Sequence, residues 1–159
     1  MKVFTFKRQI LLPVTIAEAW NFFSDPHNLK IITPPEMKFE ILTKDLPGRI
    51  FSGMIIRYSV SPLFGLKLNW TTKINDVNEP HFFIDEQHKG PYALWQHKHS
   101  FSKTGDKTLM YDEVRYSLPL SVFGILANAL IVKNKLKKIF DYRSEIILQL
   151  FQHEKIAKQ

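Results

Sequence analysis

Apolar and polar residues alternate with a period of two through most of the chain. Met37, Phe39 and Ile41 interleave with Lys38 and Glu40, and Met54, Ile56 and Tyr58 interleave with Ile55, Arg57 and Ser59. That period places successive side chains on opposite faces of an extended backbone, so both runs read as strands with one apolar face. Four further runs, 66–77, 82–89, 93–102 and 108–118, are separated by Pro62, Asn78-Glu79-Pro80, Gly90-Pro91 and Gly105-Asp106, which form turns. Connections this short join antiparallel neighbours, because parallel pairs need long crossovers. Residues 3–12, rich in β-branched and aromatic side chains and ending at Pro13, predict one more strand ahead of this meander.

Helical spacing brackets the remainder. Thr15-Ile16-Ala17-Glu18 has the form of a capping box, in which hydroxyl and carboxylate each satisfy a free backbone donor. The helix it opens carries Ala19, Trp20, Phe22 and Phe23 near one face and stops at Asp25-Pro26; a short helical turn over 27–32 ends before Thr33-Pro34-Pro35. Near the C-terminus, Leu136, Ile139, Phe140, Ile146, Ile147, Leu150 and Phe151 recur at steps of three and four, giving one apolar stripe on a long helix. Such a stripe needs a surface to cover, and the sheet is the one on offer. The order is therefore β-α-α-β(6)-α, an α+β chain in which a curved antiparallel sheet wraps around a long C-terminal helix.

Composition narrows the chemistry. The 159 residues, 45% of them hydrophobic, suit a single packed domain spanning 1–159. The absence of cysteine excludes disulfides, thiolate metal sites and cysteine nucleophiles. Of the net charge of +7, +4 falls within 131–159, chiefly on Lys133, Lys135, Lys137 and Lys138. This run is expected to be a solvated helix face, with peripheral contact to an anionic membrane as its furthest reach. The start Met1-Lys2-Val3-Phe4 alternates rather than running apolar, so no signal peptide is expected. The uncharged stretch 118–132 has 15 residues, interrupted by Pro119, Gly124 and Asn128, and falls short of the ~20 a membrane span needs. Cytoplasm is the expected compartment.

The most informative strand is Trp95-Gln96-His97-Lys98-His99-Ser100-Phe101. Its alternation puts Trp95, His97, His99 and Phe101 on the apolar face. The next strand places Met110, Asp112, Val114, Tyr116 and Leu118 on its own apolar face. If the two strands form a hairpin, His97 or His99 lies opposite or diagonal to Asp112 inside the fold. A buried carboxylate needs a partner, and imidazole is a natural one. Three roles fit this pattern: an internal polar network fixing strand register, a polar anchor for a bound apolar ligand, or acid–base catalysis by a tuned His–Asp pair. A metal site is not expected, because Asp112 alone is a thin third ligand beside His97 and His99. Neither a glycine-rich phosphate loop nor a nucleophile-elbow serine is present. The aromatic residues that would stack on nucleic-acid bases face inward, so no nucleic-acid partner is expected.

Three ordered blocks resemble the START-like, or SRPBCC, superfamily, particularly its polyketide cyclase/dehydrase-type ligand-binding proteins. The first is Ala19-Trp20-Asn21-Phe22-Phe23-Ser24-Asp25-Pro26-His27-Asn28-Leu29 with Ile32-Thr33-Pro34-Pro35. The second joins Phe83-Ile84-Asp85-Glu86-Gln87 to Gly90-Pro91-Tyr92, Trp95, His97, His99 and Phe101. The third comprises Leu109-Met110, Asp112, Val114, Tyr116, Leu118-Pro119-Leu120 and Ile139-Phe140-Asp141-Tyr142-Arg143. The resemblance implies a helix-grip (START/Bet v 1-like) fold with a cavity between sheet and helix. Members bind lipids, sterols, quinones, polyketides or plant hormones, and a minority catalyse cyclisation or dehydration. No universal catalytic residue carries over. The expected function is binding or carriage of a hydrophobic small molecule without a cofactor; the alternative is a cyclase/dehydratase using the His–Asp pair. The expected lining is Met54, Ile56, Tyr58, Trp95, His97, His99, Asp112, Tyr116, Leu118 and Phe123, with Phe64 and Phe123 as lid residues.

Overall fold

The computed structural model describes residues 1–61, 65–119 and 131–157. Strand β1 (Phe4–Leu12) leads into helix α1 (Ile16–Phe23). Thr15 opens α1 as the capping box predicts: the Glu18 N–H donates to Thr15 Oγ1 at 3.3 Å, and the Thr15 N–H donates to Glu18 Oε2 at 2.9 Å. The next helical turn, Pro26–Lys30, is 3-10, and a second 3-10 turn occupies Pro35–Met37. Prolines 34 and 35 fix φ and remove two backbone donors, and Lys38 sits in the left-handed region at φ 48. The alternating run that starts at Met37 therefore becomes a strand only at β2 (Glu40–Ile41).

The meander continues with β3 (Ile55–Val60), β4 (Leu68–Asn78), β5 (Phe82–Lys89), β6 (Leu94–Thr104) and β7 (Lys107–Ser117). A tight turn joins β6 to β7, with Gly105 at φ +64, a conformation that L side chains resist. All neighbours are antiparallel, in the order β1-β7-β6-β5-β4-β3-β2, so the first strand lies beside the last. Register shifts between β4 and β5 at Thr71/Thr72 and Ile74/Asp76 bend the sheet, as bulges do.

Helix α2 (Lys133–Ala157) turns Leu136, Phe140, Ile147 and Phe151 into the core, and Arg8 on β1 pairs with Asp141 on its outer side. Trp20 of α1 is 1% exposed, its ring edge-on to both Phe83 and Phe101 at 6.0 Å. The buried apolar side chains form three groups. The first centres on α1, β5 and β6; the second on β7 and α2; the third on Met37, Val60 and Trp70. Each sends residues to the wall of one common cavity. Among the described residues, no helix is long and apolar enough to cross a membrane.

Ile147, 1% exposed, anchors α2 at its centre. Ile147→Ala is expected to lower unfolding stability by about 2–5 kcal/mol in urea titrations. A loss under about 1 kcal/mol would show that the helix does not depend on this contact.

Candidate functional site

The cavity encloses about 170 Å³ of water-accessible space between the sheet, the 3-10 segment and α2. One water needs ~10–15 Å³ on such a measure, so the space holds a small organic molecule. Four aromatic side chains form part of the wall: Trp70 lies 5.4 Å from Trp95 and 5.5 Å from Tyr92, and Tyr58 stacks on Trp70 at 6.0 Å. The Tyr58 hydroxyl and Thr72 Oγ1 share a hydrogen bond at 3.1 Å. Burial pushes the Tyr58 and Tyr92 phenols well above their ordinary range, so both stay neutral.

One pleat along β6 from Trp95, the wall becomes polar. The β6–β7 register sets His99 opposite Asp112, and the β5–β6 register sets Asp85 opposite His97. Each carboxylate also reaches the diagonal histidine. His97 Nε2 donates to Asp112 Oδ1 at 2.9 Å, and His99 Nε2 donates to Asp85 Oδ2 at 3.0 Å. His97 Nδ1 lies 3.7 Å from Asp85 Oδ2. His99 Nδ1 lies 2.9 Å from Asp112 Oδ1, but off the line of a hydrogen bond, leaving that nitrogen buried without a hydrogen-bond partner. The two imidazoles overlap, with centroids 3.7 Å apart, and Phe83 stacks on the other side of His99 at 4.2 Å.

Electrostatics divides the two histidines. Burial disfavours a charged His97, and the neighbouring His99 adds to the effect, so the His97 pKa is lowered. Burial also opposes charge on His99, but the Asp112 and Asp85 carboxylates outweigh it and the pKa is raised. For Asp112, burial alone would raise the pKa; the hydrogen bond from His97 and the closeness of both imidazoles to its oxygen hold it far below the usual carboxylate range. Asp85, His97 and His99 face the cavity, whereas Asp112 stands behind the imidazoles and orients them.

Of the lining expected from sequence, Ile56, Tyr58, Trp95, His97 and His99 are on the cavity wall. Met54, Asp112, Tyr116 and Leu118 are not. The apolar face of a long strand extends beyond the cavity: Met54 belongs to the core group that includes α1, Leu118 to the group of β7 and α2, and Tyr116 packs on Phe4 and on the outer side of the wall residues Tyr92 and Trp95. Phe64 and Phe123 lie outside the described residues. The sequence reading gave no role to Asp85, Trp70, Tyr92 or Arg143. Arg143 left a usable signal, because it interrupts the apolar stripe between Phe140 and Ile147 and so points a guanidinium inward. Its Nε is buried without a hydrogen-bond partner, its plane lies over Phe140 at 4.9 Å, and burial lowers its pKa, though arginine stays charged. Asp85 left a weaker signal, since both faces of β5 mix polar and apolar residues.

This architecture recurs in solved structures. The aromatase/cyclase ZhuI from Streptomyces sp. R1128 superposes with a TM-score of 0.74 at 13% identity, covering 95% of this chain and 94% of that one. A START superfamily protein from Mycobacterium smegmatis gives 0.70 at 16%, covering 94% and 97%. A norcoclaurine synthase point mutant from Thalictrum flavum, in complex with a transition-state analogue, gives 0.66 at 16%, covering 93% and 96%. The chain has the START-like helix-grip fold. No protein-family model and no curated protein sequence matches it. Within the START-like fold, the space between sheet and C-terminal helix is the cavity described above, and the polar patch on its wall belongs to this chain's own residues.

The raised His99 pKa has a pH signature. Its stabilisation is complete below the unfolded value near 6.5 and is lost as pH rises through the higher folded value. With chelator present, the stability gap between wild type and His99→Gln is expected to be largest near pH 6, and to shrink by pH 9, in urea unfolding series. A gap that widens with pH would mean His99 is held neutral.

Proposed function

We propose that this chain binds and carries an apolar small molecule with an oxygen-bearing polar end, such as a quinone, a lipid or an aromatic polyketide-like metabolite. One observation carries this reading: a mostly apolar, aromatic-rich cavity into which a few polar groups converge, among them half-buried Arg143, whose Nε is buried without a hydrogen-bond partner. Apolar walls give affinity, and a small number of placed polar groups gives orientation. A buried donor without an acceptor costs ~1–3 kcal/mol, and a ligand carbonyl, hydroxyl or carboxylate recovers that cost. Two solved structures of the same fold are consistent with a small-molecule partner: ZhuI is an aromatase/cyclase, and the norcoclaurine synthase point mutant is in complex with a transition-state analogue. The lysine run is no part of this site: Lys133, Lys137 and Lys138 are exposed, and Lys137 Nζ pairs with Asp141 Oδ2 at 2.7 Å.

A second reading has its own observation. His97 and His99 face the cavity side by side with pKa values displaced in opposite directions, the arrangement that assigns base and acid to neighbouring groups. In a cyclising or dehydrating enzyme, neutral His97 would take a proton from carbon beside a carbonyl and charged His99 would return one to oxygen. Turnover of an aromatic poly-keto precursor would then vanish in both His99→Ala and Asp112→Asn. Unchanged turnover in both removes the enzyme reading.

The carrier reading is tested with two apolar probes in fluorescence displacement, one bearing a carbonyl or carboxylate and one a plain hydrocarbon. Ile56→Trp, which fills the cavity, is expected to weaken both by at least tenfold. Arg143→Met is expected to weaken the oxygen-bearing probe about tenfold and leave the hydrocarbon unchanged. Equal binding to wild type and Ile56→Trp would overturn the proposal, as native mass spectrometry of fresh protein carrying an apolar molecule would reinforce it.

A further inference from the structure

The two histidines of β6 present one nitrogen each to Asp112, on the side away from the cavity, and the other to Asp85. His97 Nε2 and His99 Nδ1 both lie 2.9 Å from Asp112 Oδ1. Their remaining nitrogens, His97 Nδ1 and His99 Nε2, converge on Asp85 Oδ2 at 3.7 and 3.0 Å, and all three atoms lie within 4.8 Å of one another. We propose that Asp85, His97 and His99 form a binding site for one divalent first-row transition ion, open to the cavity on its remaining side.

The donor set suits such an ion: two imidazole nitrogens and one carboxylate oxygen, from residues on adjacent antiparallel strands, with room for water or a ligand oxygen. Bonds of ~2.0–2.1 Å place neighbouring donors about 3–3.4 Å apart; the 3.0 and 3.7 Å spacings to Asp85 bracket that range, and the two nitrogens lie within 4.8 Å of each other. The ligands are half-buried to buried, unlike a surface acidic cluster. Asp112 supplies what isolated ligands lack. A carboxylate behind each ligating imidazole fixes its tautomer and raises its donor strength, and here one buried oxygen serves both rings. The ion takes His99 Nε2 in place of the proton shared with Asp85, that proton leaves to solvent, and the neutral ring keeps the N–H on Nδ1, 2.9 Å from Asp112 Oδ1. The charges agree as well: with neutral imidazoles, Asp85 and Asp112 exceed Arg143 by one negative charge, which a cation offsets. This site stands independently of the carrier reading, although its open face is the cavity wall.

The test is calorimetric titration of chelator-treated, full-length protein with Zn²⁺, and the visible spectrum of the Co²⁺ form. One ion per chain is expected, with ligand-field bands that change in His99→Gln. Asp85→Asn and His97→Gln are each expected to weaken Zn²⁺ at least 100-fold. Asp112→Asn, which removes no ligand, is expected to weaken it 10–100-fold. Circular dichroism of each variant confirms folding, and the isosteric Asp85→Asn is the decisive one. No stoichiometric binding, or binding unaltered by Asp85→Asn and His97→Gln, overturns the metal site, the latter marking an ion held adventitiously by surface histidines. Apolar-probe binding measured on the same metal-free samples reports the carrier reading separately.

Discussion

Asp112 is the group on which the rest of this site depends. A carboxylate 3% exposed in the middle of a sheet loses its hydration, a cost of several kcal/mol unless partners replace the water. Two imidazoles on the neighbouring strand do so, and the exchange fixes more than charge. It locks the β6–β7 register, because a one-residue slip would send His97, His99 and Asp112 to the opposite face. It also sets both ring orientations, so that the nitrogens not used by Asp112 point at Asp85.

The cavity follows from a competition between curvature and filling. Bulges between β4 and β5 bend the sheet, and α2 closes over the concave side. At the α1 end, Trp20 meets Phe83 and Phe101 edge to face and Phe23 leans on Phe101, with Phe23 and Phe83 also reaching the cavity wall. At the other end, the rings of Tyr58, Trp70, Tyr92 and Trp95 line the hollow instead of filling it. Large rigid rings bury much area while moving little, which makes such a wall preformed rather than adaptable.

A pair of histidines in unequal environments, a guanidinium with one unpartnered nitrogen and an apolar hollow are the features on which the proposed binding of an oxygen-bearing guest rests. Fold alone does not choose a function for this space. In this chain the groups that bear on that choice are Arg143 and the Asp85, His97 and His99 cluster.

Most of the architecture was legible along the chain. The capping box at Thr15, the alternating strands and the stripe on α2 are local patterns enforced by periodicity and hydrogen-bond geometry, so neighbouring residues suffice to specify them. The inward face of β6 was legible for the same reason, and with it the placing of His97 or His99 opposite or diagonal to Asp112, since a short hairpin limits the register. The departures also have local causes, as when Pro34, Pro35 and left-handed Lys38 delay β2. What required tertiary structure was everything that depends on non-adjacent elements meeting. Asp85 reaches the histidines only because β5 lies on the other side of β6, and Arg143 meets the same space only because α2 docks there. Tyr116 shares a strand face with inward residues yet lies outside the wall, packed on Phe4 of β1 and behind Tyr92 and Trp95. Alternation determined which side chains turn inward; only the packing of distant segments decided which of them face empty space, because a void is a property of all its walls at once.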